Sequence, residues 1–406
     1  MKKVLFISYD GMTDPLGQSQ VIPYLQGLSK VGHQFTIISF EKKERFEKSG
    51  SYIRLLLNES GIEWKPFFFS SRPPILSKLY DAWKLNKAVR LLHKKKNFDF
   101  THCRSYVAAE AGLKLMIKYK VPFLFDIRGF WVDERVDNGQ WNLRNPLHRF
   151  FYKTYKKKEK KYFKKATHII SLTWKGADEL KTHYNVPGDK ITVIPCCVDL
   201  DLFDYNKINE QIKTEKKREL NIGPEVKIIS YLGSFGGWYL FKEMFDFFKE
   251  LKQKQPFTKF LFITQSPRES IITAAKACDV DINDIIITLA SRKEVPLYTS
   301  LSDWSIFFIK NGYSKIASSP TKQGEIMAMG VPIICNDIGD TGKIIETYAA
   351  GIVVNSFNPE EYTRIVSRLD QLNQINKADI RQSAFKYYDL NDGVKRYENV
   401  YRKFFN

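Results

Sequence analysis

Two kinds of apolar pattern alternate along the chain. Short, largely apolar runs predict strands at KVLFIS (3–8), HQFTIISF (33–40), IEWKPFF (62–68), FTHCR (100–104), VPFLFDI (121–127), ATHIISLT (166–173) and ITVIP (191–195). Between them, apolar residues return at helical spacing in LGQSQVIPYLQGLSKVG, which Gly32 ends, in LYDAWKLNKAVRLLHKKK and in SYVAAEAGLKLMIKYK. Runs of this kind, alternating with helices, imply a parallel sheet covered on both faces.

The segments CCVDLDLFD and KINEQIKTEKKREL interrupt the rhythm, which resumes at VKIISYLG (226–233). Helix YLFKEMFDFFKELKQK, strand KFLFIT, a helix near 268–278, strand DIIITLA, a short helix at KEVPLYTSL and strands DWSIFFI, VPIICN and GIVVN follow, then helix PEEYTRIVSRLDQLNQ. The pattern predicts an α/β protein of two doubly wound, Rossmann-like domains, 1–195 and 196–385. A terminal helix within 386–406 is expected to pack back across their junction. A length of 406 residues agrees with two domains. Open parallel sheets bind ligands at the carboxyl ends of their strands, beside helix N-termini. Two such sheets facing each other would put a site in a central cleft.

Composition narrows the class. No apolar run approaches the roughly 20 residues of a membrane-spanning helix. The start, MKKVLFISYDG, meets an acid and a turn at Asp10 and Gly11, so it reads as a first strand and the protein as cytoplasmic. The five cysteines, Cys103, Cys196, Cys197, Cys278 and Cys335, have no metal-ligand spacing. The net charge of +19 is concentrated in KTYKKKEKKYFKK (153–165), where eight of thirteen residues are lysine. This is either a solvated helix face or a surface for a polyanion. Tyr152, Tyr155, Tyr162 and Phe163 interleave with the lysines, a mixture that suits lipid headgroups and would also suit RNA.

Candidate chemistry lies in the loops after strands. YDGMTDPLGQSQ carries Gly11 and Gly17 ahead of a helix, where backbone amides can approach a phosphate. DIRGFWVDERVD crowds Asp126, Arg128, Asp133, Glu134 and Arg135 around Phe130 and Trp131. That is either an internal ion-pair network or a polar substrate site with an aromatic platform, and His102 and Arg104 could converge on it. YLGSFGGWYLF offers Ser234, Gly236 and Gly237, and Arg292 follows another strand. In SSPTKQGEIMAMGVPII (318–334), Ser319 reads as an N-cap, Pro320 as the first helical residue and Gly330 as the stop. The N-terminus of this helix, with Thr321 and Lys322, could receive a diphosphate, and Glu325 one turn on could accept two hydroxyls of a ribose.

These residues carry a resemblance. DPLGQSQVIPYLQGLSKVGH, VIPCCVD and SPTKQGEIMAMGVPII resemble the retaining glycosyltransferases of family 4, with the two-domain GT-B fold, over essentially the whole chain. The resemblance implies transfer of a sugar from a nucleotide diphosphate sugar to a glycan or lipid-linked saccharide, with retention and without a metal or other cofactor. Glu325 matches the glutamate that holds the ribose, and Gly17 the glycine near the donor phosphates. Two departures stand out. Ala317 occupies the place of the family's first glutamate, and Ser234 and Tyr239 fall near the usual diphosphate-binding arginine and lysine. Lys322 and Arg292 are then the candidate cations. Arg128 falls about where many members have a histidine near the reacting centre, beside Asp126; His102, Arg104, Trp131 and Glu134 are the candidate acceptor-side residues.

Because relatives build polysaccharide or glycolipid, residues 153–165 are expected to dock on an anionic membrane surface at the inner leaflet, with no nucleic acid partner. Two alternatives are a 2-epimerase acting on sugar nucleotides with the same architecture, and a basic RNA-binding protein.

Overall fold

The computed structural model describes residues 2–70 and 73–404. Met1, Ser71, Arg72, Phe405 and Asn406 fall in the expected domain ranges but lie outside the described residues. The chain forms two compact units. The first comprises residues up to Pro195, Gly312–Ser318 and those from Leu390 on; the second comprises Cys196–Asn311 and Ser319–Asp389.

The first unit holds a seven-stranded sheet of β1 (Lys2–Ser8), β2 (His33–Glu41), β3 (Glu63–Phe68), β4 (Phe100–Arg104), β5 (Phe123–Asp126), β6 (His168–Ser171) and β7 (Ile191–Val193). Its order is β3-β2-β1-β4-β5-β6-β7, and every pairing is parallel. The second unit holds β8 (Lys227–Leu232), β9 (Thr258–Ile263), β10 (Ile285–Thr288), β11 (Trp304–Phe307), β12 (Ile333–Asn336) and β13 (Gly351–Val354). Its order is β10-β9-β8-β11-β12-β13, also parallel. In each sheet the strand order reverses once, between β1 and β4 and between β8 and β11. Such a switch point opens a crevice above the strand ends, because the flanking helices leave toward opposite faces.

Strands buried on both faces account for the continuous apolar runs. β5, FLFD, is buried at all four positions, and so is β12, IICN. The helices depart more from expectation. The first predicted helix is two, Pro15–Gln20 and Ile22–Lys30, broken at Val21, two residues before Pro23, which has no amide hydrogen to carry the helical ladder across the break. Lys43–Glu59 is a 17-residue helix that the pattern did not predict. It buries only Gly50, Ile53 and Leu57, too narrow a stripe to stand out in a charged segment. Trp131–Asp137, expected as loop, is helical, and the charged interruption contains helix Glu210–Glu219.

The terminal helix Leu390–Arg402 buries Val394, Tyr397, Val400 and Tyr401. It packs on Ile22–Lys30, where the Val394 methyl groups fill the space a side chain at Gly27 would need. Among the described residues, no helix is long and apolar enough to cross a membrane.

Candidate functional site

In the second unit, Pro320 sits in an extended conformation and helix Thr321–Ala328 begins behind it without a side-chain cap. The expected N-cap, Ser319, instead accepts a hydrogen bond from the Cys196 amide at 3.3 Å. From Lys322 to Ala328 every residue of the helix is buried. That burial explains the apolar sequence after Glu325, and Gly330, with φ +67°, lets the chain turn back into β12.

This helix brings Lys322 to the switch point of the second sheet. Its ammonium lies 3.9 Å from the ring centre of Tyr231, on β8, and 5.9 Å from that of Phe307, on β11. The Tyr239 ring, 3.6 Å away, completes the enclosure. Lys322 Nζ is buried and has no hydrogen-bond partner among the described residues. Burial pushes its pKa well down, while the Glu325 carboxylate works the other way. An ammonium carries three donors, and the tyrosine faces offer only the ring quadrupole, so the group is held ready for an anion.

Gly233, with φ +124°, passes so close that a Cβ there would stand 2.9 Å from Lys322 Nζ. The Tyr231 hydroxyl donates to the Ser234 carbonyl at 2.7 Å, fixing the start of the glycine loop. Beyond it Ser234 is exposed, and Gly236 and Gly237 have positive φ with open space where side chains would be. Glu325 is buried and ion-paired with Arg292, whose guanidinium also stacks 4.6 Å from the Phe203 ring. Arg292 therefore neutralises the ribose candidate here. Thr321 stands at the first helical position.

In the first unit, the crevice between β1 and β4 gathers a different set. Arg104, at the end of β4, is buried and lies 3.3 Å from the Asp10 carboxylate. Both Arg104 and Arg128 donate to the Gln20 side-chain oxygen. Arg128 follows β5 with φ +56°, a left-handed conformation uncommon for arginine, and its guanidinium lies 3.5 Å from Asp126. Such an outlier, held by surrounding contacts, is typical of a site that fixes a side chain. Burial alone would raise the Asp126 pKa; Arg128, His102 and Arg104 outweigh it and hold the carboxyl at about 2.

Several expected residues belong elsewhere. His102 is 2% exposed, hydrogen-bonded to Tyr401 at 2.7 Å and packed against Phe6 and Tyr397. It is an interior residue clamped beneath the terminal helix, not an acceptor-side group. Burial lowers its pKa and keeps the ring neutral. Trp131 packs on Tyr106, Trp141 and Tyr155 with Arg135 over its ring, so the aromatic platform faces neighbouring helices. Glu134 pairs with Lys315 at 3.3 Å, and Asp133 is held by Tyr152 and Lys156. Most of this charged segment is thus an internal network, while Arg128 reaches Gln20.

Gly17 is also structural. A Cβ there would meet the Gly11 carbonyl at 2.2 Å. The turn before it is organised by a residue the sequence did not mark, Glu41. Fully buried at the end of β2, its carboxylate accepts from the Met12 and Thr13 amides and from the Thr13 and Ser39 hydroxyls. Two amides expected to face a phosphate are therefore occupied. A lone acid ending an otherwise apolar strand was the available signal.

Among the described residues no group of three or more His, Cys, Asp or Glu is arranged to hold a metal ion. Cys103, Cys278 and Cys335 are free thiols.

Comparison with known proteins adds chemistry to this geometry. Residues 20–202 match the family model described as Glycosyltransferase Family 4, and residues 212–386 that of Glycosyl transferases group 1. A protein of Bacillus subtilis (strain 168) described as a teichuronic acid biosynthesis glycosyltransferase, TuaC, is 24% identical over 197 residues. That stretch is 48% of this chain and 45% of TuaC, so the match spans less than half the curated relative. HepE of Anabaena, solved in complex with UDP and glucose, superposes with a TM-score of 0.73 at 13% identity, covering 99% of this chain and all of HepE. A glycosyltransferase of Rickettsia africae gives 0.69 at 16% identity, covering 100% and 99%. At these identities the structural likeness shows the fold alone.

Proposed function

We propose that the chain is a glycosyltransferase of the GT-B type, a family 4 enzyme moving a hexosyl or N-acetylhexosaminyl group from a nucleotide diphosphate sugar, with retention. The observation that carries this reading is the Lys322 ammonium, buried at the switch point of the second sheet with no acceptor among the described residues. A diphosphate arriving over the glycine loop at Ser234 and Gly236 supplies the missing acceptor. Tyr239 falls where the resemblance expects a lysine, and its ring covers the Lys322 ammonium. The cation absent at 239 is thus furnished from 322.

Glu325 then accepts ribose hydroxyls, exchanging part of its pairing with Arg292, which turns toward the phosphates. The amide end of the helix at Thr321 and the Lys322 charge stabilise the negative charge that grows on the leaving diphosphate. The acceptor hydroxyl attacks from the face the diphosphate leaves, and its proton passes to the departing phosphate oxygen. Retention follows, and the step calls for neither a strong protein base nor a metal. In the first unit Arg128, fixed by Asp126 and Gln20, and Arg104 form the polar floor on the acceptor side. The acceptor is a glycan or a lipid-linked saccharide in polysaccharide or glycolipid assembly.

A thermal-shift screen over uridine, guanosine and adenosine diphosphate sugars tests this. One nucleotide series should stabilise the wild type and fail to stabilise Lys322→Ala. Equal stabilisation of both would remove Lys322 from the site, and no stabilisation of either would remove the nucleotide site.

A further inference from the structure

In the lysine helix, Pro146–Lys165, the aromatic residues interleaved with the lysines are not presented to a partner, while Leu147 and Phe150, ahead of the lysines, are exposed. Tyr162 and Phe163 are buried in the core, and Tyr152 and Tyr155 pack against it. Lys156 is drawn inward to Asp133, Glu159 and Tyr184, and Lys158 pairs with Glu110 at 3.5 Å. What remains outside from Lys153 on is cationic: Lys153, Lys157, Lys160, Lys161, Lys164 and Lys165 are exposed and have no ion-pair partner among the described residues.

Most of the apolar component of a docking face comes from another helix, Pro74–Lys96. Leu79 is 61% exposed and Trp83 55%, with Tyr80 and Leu91 also exposed. Tyr80 and Trp83 stack at 5.8 Å, and Lys87 lies 5.0 Å over the Trp83 ring. Helical spacing aligns Leu79, Trp83, Lys87, Arg90 and Lys94 on one side. Right-handed crossovers put this helix and the lysine helix on the same face of the first sheet, with Ser105–Tyr119 packed between them. The three helices hold eighteen lysines and arginines against three acids, a net +15 of the chain's +19. None of the three acids faces outward unpaired. Asp81 and Glu159 are buried, and Glu110 is bound by Lys114, Lys158 and Tyr162.

We infer that this three-helix layer is the surface by which the protein docks on an anionic phospholipid bilayer, with Leu79, Tyr80 and Trp83 entering the headgroup region and the lysine rows meeting lipid phosphates. A second copy of the same face is excluded as occupant by like-charge repulsion. Nucleic acid would satisfy the lysines but leaves Leu79 and Leu91 in water, whereas a bilayer boundary satisfies both. The inference rests on the reading of a membrane-borne acceptor and supplies its docking surface.

Cosedimentation of the full chain with phosphatidylglycerol/phosphatidylcholine vesicles, and with phosphatidylcholine alone, decides it. Binding to the anionic vesicles is expected, weakening with salt and by about fivefold for each lysine removed in the set Lys157→Gln, Lys160→Gln, Lys161→Gln and Lys164→Gln. The double variant Leu79→Ser, Trp83→Ser should bind at least about tenfold more weakly while its far-ultraviolet spectrum and melting stay those of the wild type. Unchanged vesicle binding by that variant overturns the proposal, as does tighter binding to an RNA homopolymer than to the vesicles. Nucleotide-sugar thermal shifts run alongside separate the two readings. A retained shift with no vesicle binding sinks the lipid surface alone; vesicle binding with no shift sinks the nucleotide reading alone.

Discussion

Lys322 shows how one residue can be costly to the free protein and useful to the bound one. A buried ammonium without acceptors opposes folding, and the tyrosine faces recover only part of its lost hydration. Lys322→Met should therefore stabilise the unliganded protein by about 1 kcal/mol while abolishing stabilisation by nucleotide diphosphates. Denaturant titration with and without ligand reads both effects, and a destabilised, ligand-responsive variant would show the lysine to be structural. Gly233 is tied to the same group. Gly233→Ala combines an unfavourable φ with a 2.9 Å approach to Lys322 Nζ, so a loss of about 1–3 kcal/mol is expected together with weaker nucleotide binding. Glu41 acts in the first unit: Glu41→Ala orphans the Met12 and Thr13 amides, and a loss of about 3 kcal/mol in urea unfolding is expected. Glu41→Gln should recover little, since its amide nitrogen points donors at donors.

At the scale of elements, the sequence was most legible where burial is complete. Strands such as FLFD and IICN are enclosed on both faces, so apolar residues and strand coincide. Helices with a narrow buried stripe, such as Lys43–Glu59, left too faint a period to read. The lysine helix was recognisable as amphipathic, yet its aromatic residues were assigned to a partner when they line the interior. Periodicity gives the two faces of a helix and not which one the core takes. Phe163→Ala, a cavity mutation, should accordingly cost about 3–5 kcal/mol. Lys161→Gln should change stability by less than about 0.5 kcal/mol. Comparable losses in the two variants would contradict the inward assignment.

For the whole molecule, titration follows from what folding buries. His168 is held neutral by burial and by Lys403 and Lys190, its pKa lowered from 6.5 to about 4. The unfolded chain takes up that proton first, so stability present above about pH 6.5 is lost as pH falls toward 4. Asp126, depressed from 3.8 to about 2, adds a second loss between those values, because the unfolded carboxyl is protonated before the folded one. Urea midpoints from pH 8 to 3 should fall in the first interval, and His168→Gln should flatten it. A midpoint independent of pH from 6.5 to 4 would count against a buried neutral imidazole.

The sequence by itself determined the alternation of strand and helix, the α/β class, the concentration of positive charge and the short segment from which Lys322 and Glu325 arise. Each is a local property: burial on both strand faces, helical period, and residue order around a turn. Only the tertiary structure decided what stands next to what. It set Tyr239 over Lys322 and Arg292 against Glu325, drew His102 beneath Tyr397 and Tyr401, and used the Met12 and Thr13 amides for Glu41. Those contacts join residues from 28 to 299 positions apart. No local pattern encodes such a distance, because the partner of a charged or aromatic side chain is chosen by the order in which the strands are laid into the sheet.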